Sequence, residues 1–231
     1  MKFAQFDARG YRTLTVRAGY AAWAPDYDRH QRGVPLATGL LARLPRNLFR
    51  QARQAIDLGC GTGRIGVWLR RRWVGVLDGV DATSAMLERA RTTGVYRRLR
   101  LGDLRRGPER ARGYGLAVCS LVACHLSALG PIYRRMHRLV RHGGTAVLVD
   151  YHPHFLLNGI PTHFPTPSGQ VAITNHVHLL GDHVRAALAA GWRLKALEEL
   201  TVPARVVRLN AAWKRFVGRP ISFMVVLESR R

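Results

Sequence analysis

The sequence is poor in lysine, in acid and in cysteine. Only Lys2, Lys195 and Lys214 are lysines among 37 basic residues, which face 14 acidic ones, so the formal net charge is +23. So basic a balance favours phosphate-rich partners, and RNA is the one that charge alone would suggest. The arginines are scattered, however, over 70–72, 97–100, 105–112 and 134–141, and no recognisable RNA-binding module accompanies them. A solvated surface, with the arginine bias of a GC-rich genome, is the first explanation, and a nucleic-acid partner is the second. Three cysteines (Cys60, Cys119, Cys124) cannot build a disulfide framework, and without a Cys-x-x-Cys they suggest no metal or redox site. There is no run of eighteen apolar residues, and the charges of residues 1–12 precede no apolar segment. The expectation is a soluble, cytoplasmic protein with no membrane partner. Nothing in the pattern sets an oligomeric state. A length of 231 residues suits one α/β domain with a well-buried core.

What the sequence does have is concentrated between Ala55 and Arg64, which read Ala-Ile-Asp-Leu-Gly-Cys-Gly-Thr-Gly-Arg. Ile56 and Leu58 alternate around Asp57 as in a strand, Gly59, Gly61 and Gly63 follow at every second position, and Ile65, Val67, Trp68 and Leu69 open a helical pattern. Glycines so spaced allow positive φ and close backbone approach to a ligand, while the free N–H groups of the helix point into the same space. Residues 74–81 then form a short apolar strand ending in Asp81, 22 residues beyond Gly59. A carboxylate there can accept both hydroxyls of a ribose. Asp78 competes for the role, but Thr83-Ser84 begin the next helix and put Asp81 at the strand end. Residues 97–101 form a third strand followed by Asp103, whose carboxylate can accept from an exocyclic amine such as that of adenine.

Either side of this core the pattern is looser. Residues 1–35 carry the aromatic stretch 19–28 with Pro25 and read as an N-terminal lid segment. Residues 36–231 read as the single domain. Within it, 36–50 has helical spacing, 114–122 is an apolar run fit for a buried central strand, 131–140 is a helix and 145–150 another buried strand. An inserted loop spans about 151–180, rich in Pro and Gly, with 171–180 partly strand-like and His176 and His178 on one face. Asp182 caps a helix over 183–190 that Gly191 ends, and 192–200 and 221–227 are the last two strands.

A nicotinamide-binding fingerprint would need its third glycine one residue later, and a Walker loop would need Gly-Lys-Ser/Thr, which is missing. The chain instead resembles the class I S-adenosylmethionine-dependent methyltransferases, whose (Asp/Glu)-x-Gly-x-Gly-x-Gly signature is met by Asp57, Gly59, Gly61 and Gly63. The resemblance covers about residues 50–150 by motif and 180–228 by pattern. It implies a Rossmann-like, doubly wound α/β sheet of seven strands, mostly parallel with the last antiparallel, and S-adenosylmethionine as cofactor. It also implies that Gly59, Cys60, Gly61 and Gly63 form the methionine cradle and that Asp57 orients the amino group. Asp81 would hold the ribose, Asp103 and Leu104 the adenine, with Ala82 and Met86 flanking that ring, and Ser120 and Leu121 would lie beside the sulfonium. Where the family often begins its fourth strand with Phe-Asp, this chain has Tyr114-Gly115.

Methyl transfer is an in-line displacement that needs a base only where the acceptor must lose a proton. Histidine suits that role; His152 and His125 are the candidate bases. His154, His163, Tyr20, Tyr27 and Tyr151 are candidates for contact with the acceptor. The pairs His152/His154 and His176/His178 have a spacing that suits a metal, but they lie on separate segments of a family that seldom uses zinc for transfer, and no metal is assigned. The Asn/Asp-Pro-Pro-Tyr/Phe tetrapeptide of many amine methyltransferases is missing after the fourth strand, where Ser120-Leu121-Val122-Ala123 stands. The resemblance is therefore to the small-molecule branch: O- or C-methylation of a secondary metabolite or quinone, with an RNA methyltransferase or a non-catalytic cofactor-binding scaffold as alternatives.

Overall fold

The computed structural model describes residues 1–30, 36–72, 75–107, 113–208 and 211–230. Its main sheet has seven strands. Chain order gives β2 (Gln54–Leu58), β3 (Val76–Asp81), β4 (Arg98–Leu101), β5 (Tyr114–Ser120), β6 (Val140–Tyr151), β9 (Trp192–Thr201) and β10 (Pro220–Ser229). In space the order is β4-β3-β2-β5-β6-β10-β9, and β10 alone runs antiparallel to its neighbours. The order reverses between β2 and β5, and that switch point is where an open α/β sheet forms its ligand crevice.

The central strands are buried on both faces, which is why they read as continuous apolar runs. On one face Ala117 and Cys119 of β5, Ala146 and Leu148 of β6, and Phe223 and Val225 of β10 share a core with Ile132, Tyr133 and Met136 of α7 (Gly130–Leu139) and Ala187 of α9 (Leu180–Ala189). On the other, Leu116, Val118, Val147, Val149 and Met224 pack with Leu40 and Leu41 of α3 (Thr38–Leu41), Phe49 of α4 (Arg46–Gln51) and Leu69 of α5 (Arg64–Arg70). The period of two along each strand deals its residues alternately to the two cores.

Pro45 divides the helix expected over 36–50 into α3 and α4, because its ring cannot continue the first. The helical pattern that opens at Ile65 ends at Arg70, and residue 74 of the strand expected over 74–81 lies outside the described residues. The helix expected over 183–190 begins three residues earlier. Asp182 serves it from the third helical position, where its carboxylate accepts the N–H of Leu179 at 2.8 Å. The inserted segment is more ordered than its Pro and Gly content suggested. It forms α8 (Pro153–Leu157) and a hairpin of β7 (His163–Thr166) and β8 (Gly169–Ile173). Pro165 is tolerated because β7 is an edge strand. The N-terminal strand β1 (Arg12–Leu14) pairs in parallel with β8. From it α1 (Val16–Trp23), capped by the Thr15 hydroxyl, and α2 (Tyr27–His30) run across the carboxyl ends of the main sheet, with Pro25 separating them.

Tyr96, just after α6 (Ser84–Thr92), fills a slot cut by three glycines. A Cβ on Gly66 would overlap its hydroxyl, one on Gly79 would come within 3.0 Å of its ring, and one on Gly63 within 3.2 Å. Overpacking of this kind costs about 1–3 kcal/mol, partly offset by the better helix propensity of alanine in α5. Gly66→Ala should therefore lower Tm by about 3–6 °C in a thermal melt. The loss should shrink in a Tyr96→Phe background, where the overlapping oxygen is gone.

Candidate active site

The site is built where β2 and β3 end. Gly59, Gly61 and Gly63 all take left-handed φ, of 80°, 53° and 91°. The N–H groups of Gly59 and Cys60 both donate to the Val80 carbonyl, at 2.8 and 3.1 Å, which folds the turn back over β3. Gly61 then donates to Asp81 Oδ2 at 2.9 Å, and Thr83 N–H donates to Oδ1 at 2.9 Å. Burial raises the Asp81 carboxyl above its ordinary range, and these two backbone donors work against the rise. Each oxygen keeps a lone pair for a further donor. The two remaining glycine requirements differ. A Cβ at Gly59 would strike Val122, whereas one at Gly61 would project into open space that a ligand can use.

Above the turn lies a cavity of about 330 Å³, within the range of ligand sites. One wall carries Gly59, Gly61, Asp81, Ala82, Met86, Asp103 and Leu104; Ser120 and Leu121 edge it, and Tyr20, Tyr27 and His125 face it from the opposite side. Nine of the expected cofactor residues, two acceptor candidates and one candidate base thus meet in one space. Cys60 lines an adjoining cavity of about 430 Å³ that shares Tyr27, Gly59, Gly61, Ser120 and Leu121. Leu121 has a φ of 58°, the one positive value off glycine among the described residues. Such strain costs about 1–2 kcal/mol and concentrates at functional sites.

Asp57 and Gly63 lie beneath this surface. Asp57 is fully buried and accepts the Tyr96 hydroxyl at 2.8 Å through Oδ2, while Oδ1 has no protein partner. Burial pushes its carboxyl up to about 7, against the pull of the Tyr96 bond and with the charge of Asp81 adding to the rise. Asp103 differs from the expectation of a carboxylate open to an amine. Arg105 grips it through Nε and Nη2 at 2.9 and 2.8 Å, and this pairing holds its pKa low.

His152 is not where the sequence suggested. The chain turns into α8 directly after β6, so His152 becomes the helix cap. Its Nδ1 accepts the N–H of His154 at 3.1 Å, and its Nε2 lies 2.7 Å from Glu199 Oε1 on β9. It lines neither cavity. His154 follows it into α8, where its carbonyl accepts from the Asn158 side chain at 2.6 Å. His163 and Tyr151 line a third cavity, described below.

His125 is the histidine that reaches the site. It is 8% exposed, in the turn after β5, and its two ring nitrogens are assigned by their neighbours. The Thr174 carbonyl, 2.7 Å from Nδ1, can only accept, so Nδ1 carries the proton. Nε2 therefore accepts the hydroxyl of Tyr20 at 2.8 Å. Burial lowers His125 to about 4, so the ring is neutral at pH 7. Sequence reasoning missed three partners: Tyr96, Thr174, and Asp28, which accepts the Thr62 hydroxyl at 2.7 Å and ties α2 to the glycine turn. All three act across long stretches of chain that no local pattern marks.

The strand order and glycine turn define the class I methyltransferase fold. Residues 55–144 match the family described as a methyltransferase domain. Over 99 residues the chain is 38% identical to methyltransferase-like protein 27 of Homo sapiens, a stretch that is 38% of each chain. Over 69 residues it is 41% identical to trans-aconitate 2-methyltransferase of Delftia acidovorans, covering 29% of this chain and 25% of that one. The matched stretches thus span well under half of these curated relatives. Among solved structures, an S-adenosylmethionine-dependent methyltransferase from Mesorhizobium loti aligns with a TM-score of 0.68 at 20% identity, over 85% of this chain and 98% of that one. Residues 55–144 thus match a methyltransferase domain within a chain of class I methyltransferase fold, which implies S-adenosylmethionine as the cofactor. The residues present suit that molecule: Gly61 leaves open space, Asp81 retains acceptor capacity at the strand end, and Asp57 keeps a buried oxygen for a cation.

Because His125 titrates lower in the fold than at its ordinary 6.5, its neutral form contributes stability that is full above pH 6.5 and lost as pH falls toward about 4. The contribution is roughly 3 kcal/mol. Asp57 and Asp150 are displaced upward by burial, to about 7 and about 6, and slope the other way. The difference between the parent and His125→Asn isolates the histidine. Urea denaturation should find the parent losing stability faster than the variant from pH 6.5 to 4; parallel profiles would remove the assignment.

Proposed function

We propose that the chain transfers the methyl group of S-adenosylmethionine to an oxygen or carbon of a small organic molecule, a secondary metabolite or quinone being the kind of acceptor that fits. The observation that carries the reading is the meeting, in one cavity, of the Gly61–Asp81 pair with the Tyr20–His125 pair. When bound, the cofactor supplies an electrophilic methyl group on a sulfonium. The residues around it bind, orient and exclude water. Asp81 takes the ribose hydroxyls, Asp57 the amino group, and Ala82, Met86 and Leu104 give the adenine an apolar seat.

Facing them, Tyr20 and Tyr27 close the space under α1 and α2. Tyr20 is held un-ionised by burial, which raises its pKa well above 10. Its hydroxyl donates to His125 Nε2, which leaves its oxygen able to accept a hydrogen bond from an acceptor hydroxyl. The pair thereby fixes the Tyr20 oxygen toward the acceptor as a hydrogen-bond acceptor that orients it, with Thr174 holding the imidazole tautomer. Two aromatic rings at this face, with Arg17 of α1 beside them, suit a small acceptor. The name of the Delftia relative, trans-aconitate 2-methyltransferase, is that of an enzyme on a small molecule and supports the same reading.

Calorimetry should find micromolar binding of S-adenosylmethionine and its demethylated product, and Asp81→Ala should weaken both by 100-fold or more. Unchanged binding would sink the site assignment. An acceptor screen read by release of demethylated product distinguishes an enzyme from a cofactor-binding scaffold, and tritium transferred from labelled cofactor to total RNA would turn the reading to the RNA alternative.

A further inference from the structure

Behind the wall of Trp23 and Tyr151 lies a third and larger cavity, of about 570 Å³. The cofactor-binding residues do not reach it. Its aromatic surface comes from Tyr11, Trp23, Tyr151, Phe155, Trp213 and Phe216. Phe155, Trp213 and Phe216 form a mutual cluster with centroids 5.0 to 6.1 Å apart, and Trp23 packs 4.9 Å from Tyr27 of the cofactor cavity. The aromatic chamber and the cofactor cavity thus share a partition of single side chains.

The charged groups among the described residues of the chamber are all cationic, with Thr162 and Gln170 as neutral polar neighbours. Arg9 and Arg215 line it, with the guanidinium of Arg215 4.7 Å over the Phe216 ring, and no carboxylate is among the described residues lining it. Two imidazoles join them. His30 Nδ1 accepts the Trp23 indole N–H at 2.9 Å, which leaves its Nε2 as the proton carrier when the ring is neutral. His163 uses Nδ1 toward the Pro161 carbonyl at 2.8 Å and keeps Nε2 as an acceptor. Guanidinium groups, an imidazole donor and aromatic faces recognise a flat apolar body bearing one anionic group.

We infer that this chamber binds a planar aromatic carboxylate, at a site separate from the cofactor cavity. The inference stands on the chamber itself and does not need the methyltransferase reading. The ring would lie among Phe155, Trp213 and Phe216, the carboxylate would pair with Arg9 and Arg215, and the Tyr27–Trp23–Tyr151 partition would separate the molecule from the cofactor.

The probe is 2-naphthoate, measured by calorimetry against its neutral counterpart 2-naphthamide and the cation 2-naphthylmethylamine. Naphthoate should bind at least tenfold more tightly than the amide, with the amine weakest. Arg9→Gln/Arg215→Gln should erase the preference while leaving amide binding within twofold, and Trp213→Ala should weaken naphthoate and amide alike. Equal affinity for the three compounds, or tighter binding of decanoate than of naphthoate, would overturn the assignment. Binding of the demethylated cofactor product is measured on the same variants. If that product binds and naphthoate does not, the chamber proposal fails and the cofactor site stands. If naphthoate selectivity survives but Asp81→Ala leaves cofactor binding intact, the chamber stands and the methyltransferase reading fails.

Discussion

A carboxylate fully buried beneath a glycine turn must be satisfied by whatever the fold brings to it, and at Asp57 that is the Tyr96 hydroxyl. The rest of the site depends on this contact. Tyr96 can reach Asp57 only because Gly63, Gly66 and Gly79 have no side chains to block it, so glycines on the turn, on α5 and on β3 all serve one aromatic ring. The ring in turn locks α5 against β3, and the turn between them is left to bend toward Asp81. An ammonium ion near the free oxygen of Asp57 would also oppose the effect of burial, favouring the ionised acid by coulombic attraction where desolvation now disfavours it.

The opposite side of the site is assembled from distant segments. Tyr20 comes from α1, His125 from the turn after β5, and Thr174 from just beyond β8, and these three form one hydrogen-bonded chain. The cover over the crevice is thus joined to the inserted segment through the imidazole as well as through the pairing of β1 with β8. Asp28 adds a third tie, to Thr62 of the glycine turn.

The parts of this arrangement legible in the sequence are those where backbone geometry restricts the residue type. Positive φ at Gly59, Gly61 and Gly63, a carboxylate at the tip of β3 and two-sided burial of β5 and β6 each leave a local mark, so the sheet and most of one wall of the candidate site could be read directly. Side-chain partners left none. Asp103 looked open because nothing local says that Arg105 turns back onto it, and His152 looked well placed because a strand end says nothing of the direction the chain takes next. The insertion read as irregular because Pro165 and Gly169 are loop residues by composition. An edge strand and a tight hairpin turn accommodate both.

The parallel pairing of β1 with β8 also sets an order of events. The partner of β1 in the sheet, residues 171–173, is made some 160 residues after it. Until then α1 and α2 have no sheet to anchor them, and Tyr20 has neither His125 nor the backbone of Thr174 to meet. Such non-local pairing is slow and comes late in folding. The central sheet can close first, and the face that would select the acceptor is finished last.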